Sequence, residues 1–446
     1  MSKPKRQLHF NVFMTRFGHH PAAWKHPDST AGGRPDLRYW INVARLAERG
    51  KLDAVFLADF AGIASASQPH ELARQAPMND FEPYTLAAAI AGATQRVGVI
   101  ATVNTNYDEP YNTARRFASL DHVSGGRSGW NVVSSLWEGS QKSFGVSQPL
   151  DHTARYQRAG EFIDVAKELW DSWEDETFDH ADRASGIYLD PATSHPVHHR
   201  GTHFTVDGLL DVPRPVQGYP VFVQAGNSDT GKEFAAQYAE MTYSAATSIE
   251  IARQYYDDLK GRMAKYGRDP DHLKVTPGLS VTVGRSDAEA QEKFEDLQSR
   301  VDFSNGVNLF GYDLSAYPLD GPLPDLPEQD NSKGRIQQLT ALARRENLTI
   351  RQLYLRFHVT RGHRVITGTP AHVADQIEDW FTAGVADGFN LIPPIMPGSL
   401  EDFVNLVIPE LQRRELFRKE YEGTTLREHL GLPRPENRAV ALRRSA

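Results

Sequence analysis

Side chains able to bind ligands or move protons recur at the ends of the apolar runs in this chain. They are His19 and His20, Asp59, Asn104 and Asn106, Asn131 and Ser135, and Ser228. Asp and Asn are also ordinary turn formers, so simple loop closure stays open for each of them. Ser228 has a sharper case. Gln224-Ala225-Gly226-Asn227-Ser228 leads from an apolar run directly into a helix beginning near Asp229. A small-residue turn entering a helix presents unpaired backbone N–H groups and the positive end of the helix dipole, which suits a phosphate. The alternative is that Ser228 or Asn227 only caps that helix. His152 and Tyr156 are four residues apart at the start of a long helix, so they share one face. An imidazole and a phenol so placed grip a phosphate or orient a ring edge. His20 is the candidate for proton handling or substrate contact, because a neutral imidazole suits transfer near pH 7; packing of its loop is the competing role. His195, His198, His199 and His203 form no HExxH frame and have no carboxylates converging beside them in sequence. No metal is therefore expected, and solvated loop histidines are the reading.

The elements that must position these residues alternate. Apolar runs at Leu8–Phe13, Asp53–Ala58, Val97–Val103, Trp130–Val133, Pro220–Ala225, Met241–Ala245, Leu273–Val283 and Gly388–Ile392 read as strands. Helix-period segments separate them, among them Asp36–Gly50, Pro83–Thr94, Thr153–Trp173, Ile249–Tyr266 and Thr369–Gly384. Strands rich in Val, Leu and Ala without polar alternation belong to a parallel sheet covered by helices. No Gly-rich dinucleotide turn follows the first strand, which holds Phe17-Gly18-His19-His20-Pro21 instead. The α/β reading is thus a (β/α)8 TIM-like barrel, with its chemistry at the carboxyl ends of the strands. Two polar stretches, 174–215 and 301–368, interrupt the alternation as long insertions in one domain, and suit lids over the barrel mouth. The tail from about residue 415 is charged and is expected to wrap the surface.

The composition excludes other classes. The 446 residues carry no cysteine, so disulfides, thiolate metal sites and cysteine nucleophiles are ruled out. A net charge of -8 disfavours nucleic acid. The amino-terminal segment has no apolar core of a signal peptide, and no run approaches a membrane span, so a cytoplasmic protein is expected.

Longer segments complete the picture. They include Arg49-Gly50-Lys51-Leu52-Asp53 leading to Leu57-Ala58-Asp59, and Asp108-Glu109-Pro110-Tyr111 before Ala114-Arg115. Gly126-Arg127 precedes Gly129-Trp130-Asn131-Val132-Val133, and Ala386-Asp387-Gly388-Phe389-Asn390 closes the barrel. With Gln224-Ala225-Gly226 and Ser228, and with Arg345 to Tyr354, these make a chain that resembles the flavin-dependent monooxygenases of the bacterial luciferase-like superfamily. The likeness runs over nearly the whole chain and points to the branch of nitrilotriacetate, EDTA and dibenzothiophene-sulfone monooxygenases. It implies a two-component enzyme. Reduced FMN arrives from a separate NAD(P)H:flavin reductase, reacts with O2 to a flavin peroxide or hydroperoxide, and oxygenates a small organic substrate. A deazaflavin enzyme or a non-catalytic flavin-binding protein are the alternatives.

The resemblance places FMN contacts at Asp59, Asn104, His152, Tyr156 and Ser228. Relatives carry Ser or Thr at position 104, so Asn104 is a departure, although an amide still donates and accepts. The alkane oxygenases have a histidine where this chain has Leu136, which argues against alkane hydroxylation. A homo-oligomer is expected. For the substrate, the stretch Leu309, Phe310, Tyr312, Leu314 and Tyr317 offers an apolar lid, whereas Arg16, Lys25, Arg34, Arg183 and Arg200 offer cations. The balance leans to an apolar, xenobiotic-type substrate, with an aminopolycarboxylate chelator as the alternative.

Overall fold

The computed structural model describes residues 6–30, 32–62, 80–134, 138–147, 150–179, 181–303, 307–309, 312–326, 340, 343–357 and 362–445. Its strands are β1 (His9–Phe13), β2 (Ala54–Leu57), β3 (Gly98–Asn104), β4 (Ser128–Val133), β5 (Val197–Arg200), β6 (Thr205–Gly208) and β7 (Val221–Gln224). They continue with β8 (Met241–Ser244), β9 (Lys274–Val283), β10 (Asn308–Leu309), β11 (Tyr312–Asp313), β12 (Arg364–Gly368) and β13 (Gly388–Leu391).

Eight of these close a parallel barrel in the order β1, β2, β3, β4, β7, β8, β9, β13 and back to β1. They are the eight runs expected from the sequence. Outward side chains such as Val12, Val55, Val99, Trp130 and Phe222 pack under the surrounding helices. Inward ones, including Ala54, Phe56, Ile100, Val223 and Tyr243, fill the barrel itself. Closure leaves no exposed edge among these eight strands.

The tail differs from expectation. Leu426, Leu430 and Leu432 join the inner cluster and plug the amino-terminal end of the barrel. Gly98 and Gly129, at the starts of β3 and β4, make the room: an added Cβ would lie 2.7 Å and 3.4 Å from the Leu426 side chain. A capping box between Thr425 and Glu428 starts the short helix Leu426–His429. Arg427 then points away and pairs with Glu240 at 2.7 Å. Arg418 and Arg427 are thus spent on Asp53 and Glu240 while the leucines go inside, and Lys419, Glu420 and Glu422 stay at the surface. Each buried leucine contributes about 1.5–3 kcal/mol.

The first insertion does not cover the mouth. β5 and β6 form an antiparallel hairpin lying along the helix His152–Trp170, whose Glu161 accepts N–H bonds from Thr202, His203 and Phe204. Tyr111 bonds Leu209 O, and Arg214 pairs with Asp171, so the segment lies on the outer helical layer. Two of its histidines depart from the solvated reading, whereas His198 stays exposed. His195 meets Glu174 at 2.8 Å, and His199 lies 3.1 Å from Glu168 and 3.4 Å from Glu161. The carboxylates come mostly from a preceding helix, which is why adjacent sequence did not reveal them.

The second insertion has a small core of its own, in which Tyr312 and Leu314 pack with Ala343, Ile350 and Leu353. Tyr317 is exposed, and Phe310 lies outside the described residues. Within the range 301–368, Arg364–Gly368 forms β12, a parallel strand on the far half of β9. β9 is long enough to pair with β8 over its first half and β12 over its second. No helix among the described residues is long and apolar enough to cross a membrane.

Candidate active site

The turn after β7 forms one side of the barrel mouth. Ser228 caps the helix Asp229–Tyr238, its Oγ accepting the Gly231 N–H at 3.1 Å. Capping and anion binding are compatible, since one hydroxyl lone pair serves the cap and the first helical N–H groups still face outward. His152, the first residue of the helix His152–Trp170, brings Nε2 within 3.4 Å of Ser228 Oγ. Tyr156 lies one turn on, its ring 5.1 Å from that of His152 and 5.4 Å from Phe234. The three predicted residues therefore meet.

Gly226 shows how tight this turn is. A Cβ there would strike the Gln224 amide and come within 2.6 Å of the Tyr156 hydroxyl, with Gly231 Cα at 3.1 Å. Only glycine lets the backbone pass beneath the phenol. The result is a cradle with a hydroxyl, a phenol, an imidazole and a helix N-terminus on its walls. The phosphate of FMN fits this donor set.

The opposite side of the mouth is built by the loop after β1. Phe17–His20 pairs with the segment after β13: His19 N donates to Pro393 O, His20 N to Pro394 O, and Met396 N to Phe17 O. Gly18 has φ +122°, and a Cβ there would come within 2.7 Å of Ile395 Cα. That backbone conformation and closeness require glycine. His20 is 5% exposed, and its Nδ1 accepts the Ala22 N–H at 3.1 Å, which leaves the ring proton on Nε2. Burial pushes its pKa down to about 4, the Gln298 side chain opposing this in part. His20 is thus a neutral imidazole at physiological pH.

His19 and His20 border a cavity of ≈ 80 Å³ inside the carboxyl end of the barrel. Phe13, Phe294, Leu297 and Ile392 supply apolar wall, and Ser280, Thr282 and His363 supply polar groups. Among the described residues, no Lys, Arg, Asp or Glu lines it. His363 packs onto Gly278 of β9, where a Cβ would overlap its ring.

Asp59 and Asn104 stand at the same end, after β2 and at the tip of β3. Asn104 Oδ1 accepts from the backbone N–H and the side-chain amide of Asn106, both at 3.0 Å, and Asn106 bonds Ser134 O. The carbonyl of Asn104 thus holds its own turn. Leu136 and Ser135 lie outside the described residues. Sequence reasoning named the turn 224–228 but not the steric role of Gly226, and it missed His363, Ser280 and Thr282 as cavity wall. Ser280 and Thr282 had a signal: in Gly278-Leu279-Ser280-Val281-Thr282-Val283 the polar residues alternate with apolar ones that pack outward. His363 had none, because its position depends on the return of the second insertion. Among the described residues no group of three His, Cys, Asp or Glu side chains is placed to hold a metal.

A closed parallel barrel with a donor-rich turn that suits a phosphate, and an apolar cavity on the same rim, is an arrangement that several classes of enzyme share. The comparisons specify which. The luciferase-like monooxygenase family profile matches residues 15–387, and the chain belongs to that family. It is 44% identical over 445 residues to N-acetyl-S-(2-succino)cysteine monooxygenase of Bacillus subtilis (strain 168), covering 98% of this chain and 99% of that one. It is 46% identical over 444 residues to nitrilotriacetate monooxygenase component A of Aminobacter aminovorans, covering 97% and 98%. A crystal structure of riboflavin lyase with modified FMN and riboflavin superposes with a TM-score of 0.81 at 31% identity, covering 96% of each chain. The protein is an FMN-dependent monooxygenase that uses reduced FMN and O2.

Proposed function

We propose that this oxygenase acts on a small organic molecule whose reacting part is uncharged, and that a separate NAD(P)H:flavin reductase supplies its reduced FMN. The observation that supports the substrate class is the cavity beside His19 and His20, which has aromatic and aliphatic walls and, among the described residues, no Lys, Arg, Asp or Glu. When bound, reduced FMN supplies two electrons, so that one atom of O2 enters the substrate and the other leaves as water. The protein's own contributions follow from its residues. Ser228, Tyr156 and His152 hold the phosphate through charge-assisted hydrogen bonds, and Asp59 and Asn104 contact the cofactor from the tips of β2 and β3. Phe13, Phe294, Leu297 and Ile392 exclude water from the reacting region. His20 meets the substrate as a neutral imidazole, with its proton held on Nε2. The working form is a cytoplasmic homo-oligomer.

A second reading takes its support from the relatives. Nitrilotriacetate and N-acetyl-S-(2-succino)cysteine, named for the proteins at 46% and 44% identity, both carry several carboxylates. In that reading the carboxylates stay at the rim and only the neutral carbon skeleton enters the cavity. Oxygen uptake with a flavin reductase decides between them, over a panel of an aryl sulfone, an aromatic thioether, magnesium nitrilotriacetate and N-acetyl-S-(2-succino)cysteine. Coupled turnover of the uncharged compounds supports the first reading. Turnover of only the polycarboxylates, with little hydrogen peroxide released, replaces it with the second.

A further inference from the structure

We propose that a cleft at the amino-terminal end of the barrel, centred on Lys167 and remote from the flavin rim, is a second ligand site for a small carboxylate with a flat apolar body. The cleft has a volume of ≈ 440 Å³, within the usual range of small-molecule sites. It lies between the last turn of the helix His152–Trp170, the end of the helix Asp229–Tyr238 and the residues leading into β7 and β8. Helices run opposite to strands here, so these segments all belong to the end of the barrel away from Ser228.

Lys167 Nζ sits 5.1 Å from the ring centre of Phe222 and 5.0 Å from that of Tyr238. The two rings give the ammonium a cation–π seat but no hydrogen-bond acceptor. Asp164 and Glu240 act on it through space, without a hydrogen bond. Both carboxylates are already engaged. Asp164 accepts from the Tyr238 hydroxyl at 3.1 Å, and Glu240 takes Arg427 at 2.7 and 2.9 Å together with the Phe222 N–H. Arg268, the other cation on the wall, spends its guanidinium on Ala236 O and Ala239 O. The donors of Lys167 are therefore the ones left for a ligand. A largely buried ammonium with no hydrogen-bond acceptor among the described residues is costly, and a carboxylate entering the cleft relieves that cost. The remaining wall is aromatic, with Tyr219 and Tyr266 beside Phe222 and Tyr238, which selects a flat apolar body.

Burial lowers the Lys167 pKa to about 8, against the pull of Asp164 and Glu240 and with help from Arg438 and Arg268. The facing phenols of Tyr219, Tyr238 and Tyr266 are all raised, so they stay protonated through this range. Lys167 is then the group whose charge changes between pH 7 and 9, and anion affinity falls as pH rises through 8.

The test uses the FMN-loaded oxygenase with benzoate as probe and inorganic phosphate as the comparison, by isothermal titration. Saturable benzoate binding is expected in the millimolar range or tighter, weakened about tenfold or more by Lys167→Met and by raising the pH from 7 to 9. FMN affinity should not change in the variant. In the unmodified enzyme, benzoate should also slow acylation of Lys167, read by mass spectrometry. Absence of saturable binding, binding retained by Lys167→Met, or no protection of Lys167 overturns the proposal. Phosphate binding as tight as benzoate overturns the requirement for a flat apolar body.

Discussion

Tyr156→Phe isolates the phosphate grip. The phenol oxygen lies 2.6 Å from where a Gly226 Cβ would sit and 3.0 Å from that of Gly231, directly over the turn that Ser228 caps. The ring is held independently by Phe234 and His152. Removing the oxygen therefore leaves the packing in place, and folding stability should change by less than about 1 kcal/mol. A hydrogen bond to a charged acceptor is worth about 1.5–3 kcal/mol, which corresponds to a loss of about ten- to a hundredfold in FMN affinity. Riboflavin lacks the phosphate and should lose little. Anaerobic fluorescence titration of both ligands, in both oxidation states, gives the two ratios directly. Gly226→Ala is the companion variant: its methyl group would displace the phenol and the Gln224 amide, reproducing the selective loss. Equal weakening of FMN and riboflavin by Tyr156→Phe would place the phosphate elsewhere and refute the assignment of Ser228 and His152 with it.

Other consequences can be checked separately. Leu426→Ala empties part of the barrel plug and should cost about 2–5 kcal/mol in chemical denaturation while leaving FMN affinity unchanged. Burial opposes ionisation of Asp53, but Arg418, His9 and the Phe10 N–H outweigh it and hold its carboxyl at about 2. Its folded pKa is below the unfolded one, so its contribution of roughly 2–3 kcal/mol is complete above about pH 4 and lost as pH falls towards 2. An Asp53→Asn protein that keeps the same acid sensitivity over that window would contradict this. His20→Asn should lower product formation and raise hydrogen peroxide release at unchanged FMN affinity. Because His20 is neutral down to about pH 4, the pH profile should show no inflection near 6.5 that the variant removes.

The barrel strands were legible because most are short apolar runs flanked by helix-period segments, and parallel strands covered by helices carry that pattern locally. The cradle was legible for the same reason. Ser228 announces a helix start, and His152 and Tyr156 share a face through helical spacing alone. Their meeting at 3.4 Å across the mouth was not, since it joins residues 76 positions apart through closure of the barrel. The plug, β12 and the carboxylates around His199 also needed the tertiary structure. In each case a charged or polar segment is placed by partners far away in the chain: Arg427 by Glu240, His199 by Glu161 and Glu168, β12 by β9. Local pattern reports which face of an element is apolar. It does not report which distant charge will neutralise a buried one, and that pairing decided where Arg427 and the tail went, while His363 was placed by the return of the second insertion onto Gly278.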